Sequence, residues 1–324
     1  MRQKVLVLSE SEVHELLTME ECIAVMEDAL RALARGEVHN PLRQIIRASG
    51  APGILGLMPA WRGGTAPFYG LKEVCVFPEN PKRGLDTHVG AVILHSGETG
   101  EPLAFMNASA ITAIRTAAVS AVATRLLARK EAAVLAILGA GVQARAHLAA
   151  IPLVREIRDV RVYSRSGGEG LGARTGVSPR IVATAEECVR GADIIVTATS
   201  SREPILRLDW IGAGAHINAV GSSIAAAREL DAQTMAACSL FVDRRESTVN
   251  ESGDFLFAVR EGLIDQEHIR AELGEVLLGT APGRTSNDEI TLFKSLGLAI
   301  EDLASAAFLY EKARSTSRGT WVEF

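Results

Sequence analysis

The feature that most constrains this chain is a short apolar run, Val134–Leu138, followed at once by Gly139-Ala140-Gly141-Val142-Gln143-Ala144 and a helical pattern through Ala149. A continuous apolar run of that length reads as a strand buried on both faces. The small residues that follow have separate jobs. Gly139 permits a tight turn, Gly141 lets backbone approach a pyrophosphate, and Ala144 lets the helix pack on the strand. The helix N-terminus offers N–H groups and a positive dipole end to phosphate oxygens. Packing alone could select the same small residues. The strand before and the helix after favour a dinucleotide site, with Gly139, Ala140, Gly141, Val142 and Gln143 around the phosphates.

A β-α alternation extends from this unit. Val160–Ser164, Asp193–Thr197, His216–Val220 and Leu240–Asp243 read as strands, and Ala185–Arg190 as a short helix. Strands alternating with helices imply a parallel, doubly wound sheet. Gly167–Gly176 reads as a surface loop. The N-terminal third differs. Val5–Leu8 reads as a strand, and Ser9 with Glu12 and Thr18 with Glu21 fit capping boxes. Cys22, Ile23, Met26, Ala29, Leu30 and Leu33 fall at helical spacing, ended by Gly36. Arg43–Arg47, Ile54–Pro59, Tyr69–Phe77, Val89–His95 and Ala104–Met106 read as a mostly antiparallel sheet. A long helix follows over Ile111–Arg129. Ser286 with Glu289 is read as a third capping box, opening a helical tail from about Asp288 to Ala313.

Composition excludes several classes. The chain has 324 residues, 48% hydrophobic and 23% charged, with net charge −5. That length accommodates two domains with separate cores. No basic run or aromatic-basic stripe points to nucleic acid. Cys22, Cys75, Cys188 and Cys238 lie far apart without C-x-x-C spacing, so no metal site or disulfide framework is expected. The N-terminal apolar run is too short for a signal peptide. The long apolar stretch Ala132–Val154 is cut by Arg145 and by glycines, so it does not read as a membrane span. A soluble cytoplasmic protein is the expectation.

The end of the second strand bears on the cofactor. An Asp or Glu there would bind the ribose hydroxyl of NAD. The sequence instead has Tyr163-Ser164-Arg165-Ser166. Arg165 could pair with the extra phosphate of NADP and the serines could donate to it, which leans the reading to NADP(H) over NAD(H). A solvated arginine at a strand end is the plainer alternative. In Tyr69–Phe77, Lys72 alternates in phase with Gly70, Val74 and Val76. A lysine on an apolar face is costly without a partner or a job, and desolvation would suit it to proton transfer. Snorkelling to water or pairing with Glu73 stays open. Single histidines such as His88 and His95 read as structural.

Taken together, Tyr69-Gly70-Leu71-Lys72, the run Ile111–Ala118, Gly139–Ala144, Ile217–Gly221 and Ser295-Leu296-Gly297 resemble the ornithine cyclodeaminase/μ-crystallin family over nearly the whole chain. The resemblance implies an α/β fold, a Rossmann domain over 118–303 plus a mixed α+β substrate-binding and dimerisation domain over 1–117 and 304–324. It implies a homodimer, a carboxylate-binding arginine at Arg43, whose guanidinium would form a bidentate fork, and an active-site lysine at Lys72 that would hold the same carboxylate and is the first candidate to give the imine nitrogen its proton. Arg115 would lie between cofactor pyrophosphate and substrate, with Thr116 donating to a phosphate. A cation near a helix start is poorly placed unless an anion is present. Thr197, Thr199 and Ser200 would flank adenosine, and Val220, Gly221, Ser295 and Gly297 the nicotinamide. One departure matters. Cyclodeaminases of the family carry an aspartate soon after the glycine matching Gly221, whereas this chain reads Gly221-Ser222-Ser223-Ile224, with no carboxylate until Glu229. The expected activity is therefore NAD(P)H-dependent reduction of an α-imino acid, either a cyclic ketimine such as pyrroline-2-carboxylate or a linear imine. Arg47 and Arg62 leave room for a dicarboxylate. A cyclodeaminase lyase and a non-catalytic binder are the alternatives.

Overall fold

The computed structural model describes residues 4–168, 171–172 and 178–324. The glycine-rich stretch 167–176, expected as a surface loop, lies largely outside the described residues. The chain divides into two compact units, Met1–Arg115 with Leu298–Phe324, and Thr116–Gly297.

The first unit opens with β1 (Lys4–Leu8), α1 (Glu10–Leu16) and α2 (Met19–Ala34), and both helices start with the expected reciprocal capping boxes. Past the end of α2, Gly36 adopts φ +75°, the left-handed turn that glycine tolerates. Next come β2 (Val38–His39), β3 (Gln44–Ile46), β4 (Ile54–Arg62), β5 (Phe68–Val76), β6 (His88–Ser96) and β7 (Pro102–Asn107). Helix α3 (Ala108–Leu127) then carries the chain into the second unit. By length and composition α3 could cross a membrane, yet 83% of its most apolar stretch is buried in the fold. Apolar character all round is what a core helix needs. Arg155 closes its end, donating from Nη2 to the carbonyls of Thr124, Arg125 and Ala128. A guanidinium thus satisfies last-turn carbonyls and meets the negative dipole end.

The second unit is a sheet in which every pairing is parallel. Its elements are β8 (Val134–Leu138), α4 (Val142–Ala150), β9 (Asp159–Tyr163), β10 (Arg180–Ile181), α5 (Ala185–Val189), β11 (Ile194–Thr197), β12 (His216–Ala219), α6 (Ala232–Ala237), β13 (Ser239–Val242), α7 (Arg245–Glu251), α8 (Gly253–Arg260), β14 (Ile269–Glu272), α9 (Leu273–Leu278) and β15 (Thr291–Lys294). The strand order is β10-β9-β8-β11-β12-β15-β13-β14. Chain direction across the sheet reverses beside β8, so the loops after β8 and β11 flank the switch point, where such sheets bind ligands.

One expectation fails here. The tail is not helical from Asp288, because residues 291–294 form β15, fully buried between β12 and β13. The capping-box contacts of Ser286 and Glu289 do form, at 3.4 and 3.2 Å. They close a turn instead of opening a helix. The Glu289 carboxylate also takes Ser239 Oγ at 2.5 Å and pairs with Arg270, tying the turn to β13 and β14. Burial of Thr291-Leu292-Phe293-Lys294 between two strands overrides the local helix signal.

The chain then re-enters the first unit as α10 (Ala299–Thr316) and β16 (Thr320–Glu323). The first sheet runs β16-β1-β7-β6-β5-β4-β2, with β3 on β4, and is antiparallel except for the β1–β7 pair. Helix α10 lies across β4 to β7 and against α2.

His147 on α4 is fully buried, with Nδ1 2.7 Å from the Gln143 carbonyl and Nε2 2.9 Å from Ser120 Oγ. A carbonyl only accepts, so Nδ1 carries the proton and Nε2 accepts from the hydroxyl. Burial pushes its pKa down to about 4, and that of His216, with Arg284 adding to the effect, to about 3. Both imidazoles fold neutral. Their contribution is therefore complete above the unfolded value near 6.5 and is lost as pH falls toward the folded values. Between pH 6.5 and 5 each neutral imidazole costs about 2 kcal/mol of stability. Urea unfolding at pH 7 and pH 5 should show that loss, and His147→Gln should reduce it.

Candidate active site

In the first unit, four charged side chains meet beneath α10. Lys72 points inward from β5 and is 4% exposed, on the face that carries Gly70 and opposite the face of Glu73. Gly70 is needed there. A Cβ would lie 2.6 Å from Leu303 Cγ and 2.8 Å from the Ile93 carbonyl, so only glycine lets α10 sit this close to β5. The first turn of α10 has no side-chain cap from Leu298. Asn40 supplies one from a distance, accepting the Ile300 N–H at 2.9 Å. That turn carries Glu301 and Asp302, acids well placed at the positive end of a helix.

Lys72 Nζ lies 3.0 Å from Asp302 Oδ1 and 2.6 Å from Thr112 Oγ1 on α3. Arg115, also 4% exposed, places Nε 3.0 Å from the same Asp302 Oδ1 and Nη1 2.6 Å from Glu301 Oε2. Two cations and two anions thus share one buried volume. Neither snorkelling nor Glu73 accounts for Lys72. Arg115 is the eighth residue of α3, beyond the first turn where the helix dipole acts, and it is buried because two carboxylates meet it. Desolvation pushes the Lys72 pKa down to about 8, with Asp302 opposing and the charges of Arg115 and Arg43 adding to the fall. Arg43 is half-buried just before β3. Arg47 is exposed, and Arg62 is committed to Asp28 at 2.6 Å.

Sequence reasoning did not single out Asp302, Glu301 or Asn40. Two acids in the first turn of a helix read as ordinary dipole partners. Their importance lies in the lysine and arginine that the fold brings against them.

In the second unit, the remaining candidates gather at the C-terminal ends of parallel strands. Gly139 follows β8 at φ +125°, and a Cβ there would collide with the Ala198 carbonyl. Ala144 is fully buried, as helix packing requires. Gly141 is the N-cap of α4, brings no side chain to its first turn, and has nothing within 4 Å of where a Cβ would stand. Ala140 is half-buried and Val142 is exposed. This open cradle at a helix N-terminus fits a dinucleotide pyrophosphate. After β9, Ser164 and Ser166 hydroxyls lie 3.1 Å apart around an exposed Arg165.

Beyond β11 and β12, a fully buried carboxylate organises the loops. Glu229 accepts from Thr197 Oγ1 at 2.7 Å, from Thr199 N and Oγ1 at 2.7 Å each, and from Gly221 N at 2.8 Å. Burial pushes its pKa up, Lys294 opposes this, and Asp254 adds to it. Ser200 is exposed and Val220 half-buried. After β15, Asp243 holds the segment Ser295–Gly297 through the Leu296 and Gly297 N–H groups, at 2.6 and 2.8 Å. Glu229, the first carboxylate after Gly221, is turned inward and spent on two hydroxyls and two backbone N–H groups. Among the described residues no group of three or more His, Cys, Asp or Glu is placed to hold a metal.

Comparison with known proteins bears on the family and the fold. A family model described as "Ornithine cyclodeaminase/mu-crystallin family" matches residues 3–317. The chain is 38% identical to a Delta(1)-pyrroline-2-carboxylate reductase of Bacillus cereus, over 98% of this chain and 100% of that protein. Among solved structures, the Thermococcus litoralis Delta(1)-pyrroline-2-carboxylate reductase in complex with NADH and L-proline superposes with a TM-score of 0.94 at 41% identity. That match covers 98% of this chain and 100% of the other. An archaeal alanine dehydrogenase dimer with bound NAD gives 0.92 at 36% identity, over 99% and 100%.

The two glycines of the turn make different demands. Gly139→Ala should lower the melting temperature and weaken dinucleotide binding together, because the backbone there is strained for any Cβ. Gly141→Ala should leave melting unchanged and weaken binding roughly tenfold or more, since its methyl would occupy only the cradle. Paired melting curves and fluorescence titrations with NADH and NADPH check both.

Proposed function

The chain belongs to the ornithine cyclodeaminase/mu-crystallin family, and on that premise we propose that it reduces an α-imino acid to an α-amino acid at the expense of a nicotinamide dinucleotide. The observation that carries this reading is the buried Lys72, held by Asp302 and Thr112, with desolvation pushing its pKa down to about 8. The Gly139–Ala144 turn would hold the dinucleotide, which when bound would be the source of the hydride that C2 gains. The chain's own residues supply the rest. Arg43 binds the substrate carboxylate, and Lys72 gives the imine nitrogen its proton, so that C=N becomes CH–NH. Arg115 and Thr116 carry charge and hydrogen bonding toward the cofactor phosphates. Thr197, Thr199, Ser200, Val220, Gly221, Ser295 and Gly297 shape the walls for adenosine and nicotinamide.

A cyclic imine such as pyrroline-2-carboxylate is the favoured substrate, in keeping with the two reductases the chain resembles over its length. A dicarboxylic imine is less favoured because Arg62 is already paired with Asp28. The exposed Arg165 between two serines supports NADP(H) as the preferred form. The cyclodeaminase reading loses ground because Glu229, the first acid after Gly221, is buried and fully engaged. The first unit carries the substrate in this reading, and the second the dinucleotide. A homodimer fits the first sheet, whose face turned away from α10 exposes Tyr69, Val89 and Phe105. Uncovered apolar faces of that kind mark association surfaces. The archaeal alanine dehydrogenase relative is a dimer.

A panel of imino acids assayed with NADH and NADPH tests the reading. Net dinucleotide oxidation with pyrroline-2-carboxylate is expected, and ammonia release from ornithine without net oxidation would reject it. Lys72→Ala should lower kcat by on the order of 100-fold or more while dinucleotide affinity holds. The needed form of Lys72 is the ammonium, so imine reduction should fall as pH rises through about 8 and amino-acid oxidation should rise through the same point. Arg165→Asp should move the preference from NADPH toward NADH, read as the ratio of the two kcat/KM values.

A further inference from the structure

The surroundings of Lys72 restrict what its nitrogen can do. Beyond the bond to Cε, an amine nitrogen has three tetrahedral positions. Two are taken here, by Thr112 Oγ1 at 2.6 Å and Asp302 Oδ1 at 3.0 Å. Thr112 spends its own hydroxyl proton on the Ala108 carbonyl, 2.6 Å away, so toward Lys72 it only accepts. Asp302 Oδ1 is shared with Arg115 Nε and accepts from both nitrogens. No further hydrogen bond joins Lys72 to another described residue. Its third position is an N–H in the ammonium and the lone pair in the amine. The two occupied positions carry N–H in both forms, so the proton leaves and returns in one direction only.

We propose that Thr112 and Asp302 are positioning residues that leave Lys72 a single vertex for proton transfer, so that it serves the substrate nitrogen and does not clamp the substrate carboxylate. This rests on the imine-reductase reading and divides the labour within it. One vertex does one job. Arg115 has committed Nε and Nη1 to Asp302 and Glu301, and the carboxylate is assigned to Arg43, as the family resemblance implies. Changes at Thr112 then act on kcat, and changes at Arg43 act on KM. The charged groups facing Lys72 are Asp302 and Glu301 from α10, Arg115 from α3, Arg43 ahead of β3 and His88 at the start of β6. Of these, Asp302 alone holds a carboxylate against Nζ, so removing its charge destabilises the ammonium.

The test compares Thr112→Val, Thr112→Ser, Asp302→Asn and Arg43→Lys. Thr112→Val should lower kcat by roughly tenfold or more with the imino-acid KM little changed, and Thr112→Ser should restore most of the loss. Arg43→Lys should raise KM and spare kcat. Asp302→Asn should move the basic limb of imine reduction to lower pH by about one unit or more. The Lys72 titration, followed by NMR of its ε-methylene carbon, should move the same way. If Thr112→Val raises KM and leaves kcat alone, or if serine fails to rescue, the proposal is wrong. An unmoved Lys72 titration in Asp302→Asn would also overturn it. Should Asp302→Asn fail to fold, the Thr112 pair decides. Should the native protein reduce no imine, the function reading fails instead, and the NMR titration still judges the role of Asp302.

Discussion

Lys72 and Arg115 are buried only because Glu301 and Asp302 meet them. Four charges have left water, and each lies within hydrogen-bonding distance of an opposite one. Breaking such a pair strands a charge in a poor solvent and costs about 3–5 kcal/mol, whereas the intact set gains little over an apolar core. A charge cluster of this kind is therefore better explained by chemistry than by stability. It also dictates the packing of the first unit. Helix α10 must start where its first turn reaches β5. That requires a glycine at position 70, and it requires Asn40 to cap a helix whose own N-cap residue has no suitable side chain.

The second unit applies the same rule to a different end. Its cofactor candidates sit on loops, and loops need anchors. Glu229 anchors the loops after β11 and β12, and Asp243 anchors the segment after β15. Asp254 in turn accepts the Glu229 and Leu230 N–H groups and lies 2.9 Å from Lys294, an ion pair without hydrogen-bond alignment. These acids lie beneath the loops, where they fix backbone without presenting negative charge to a pyrophosphate. The same placement keeps the first carboxylate after Gly221 away from solvent.

Legibility in the sequence follows the range of the interaction. The turn Gly139–Ala144, both N-terminal capping boxes and the alternation around Lys72 are local, and their meaning survives in the fold. Ser286 and Glu289 show the limit of local signals. Their hydrogen bonds form as in a helix start, yet a buried strand follows, because the sheet had a place for Thr291–Lys294 between β12 and β13. Strands β10 and β14 were missed for a related reason. Each is short, and pairing with a neighbour defines it more than its own composition does.

By itself the sequence determined that a glycine turn follows a buried strand and opens a helix, that Lys72 occupies an apolar face, and that no carboxylate follows Gly221 before Glu229. Those follow from residue type and spacing, which the chain carries wherever it goes. Only the tertiary structure decided which acid meets Lys72. Asp302 lies 230 positions away, and nothing local distinguishes it from a helix-dipole partner. It took the packing of α10 on β5 to put a carboxylate 3.0 Å from the lysine, and Thr112 on α3 to take a second position. The lowered proton affinity of Lys72 is a property of that juxtaposition, because it depends on desolvation and on charges contributed by distant parts of the chain.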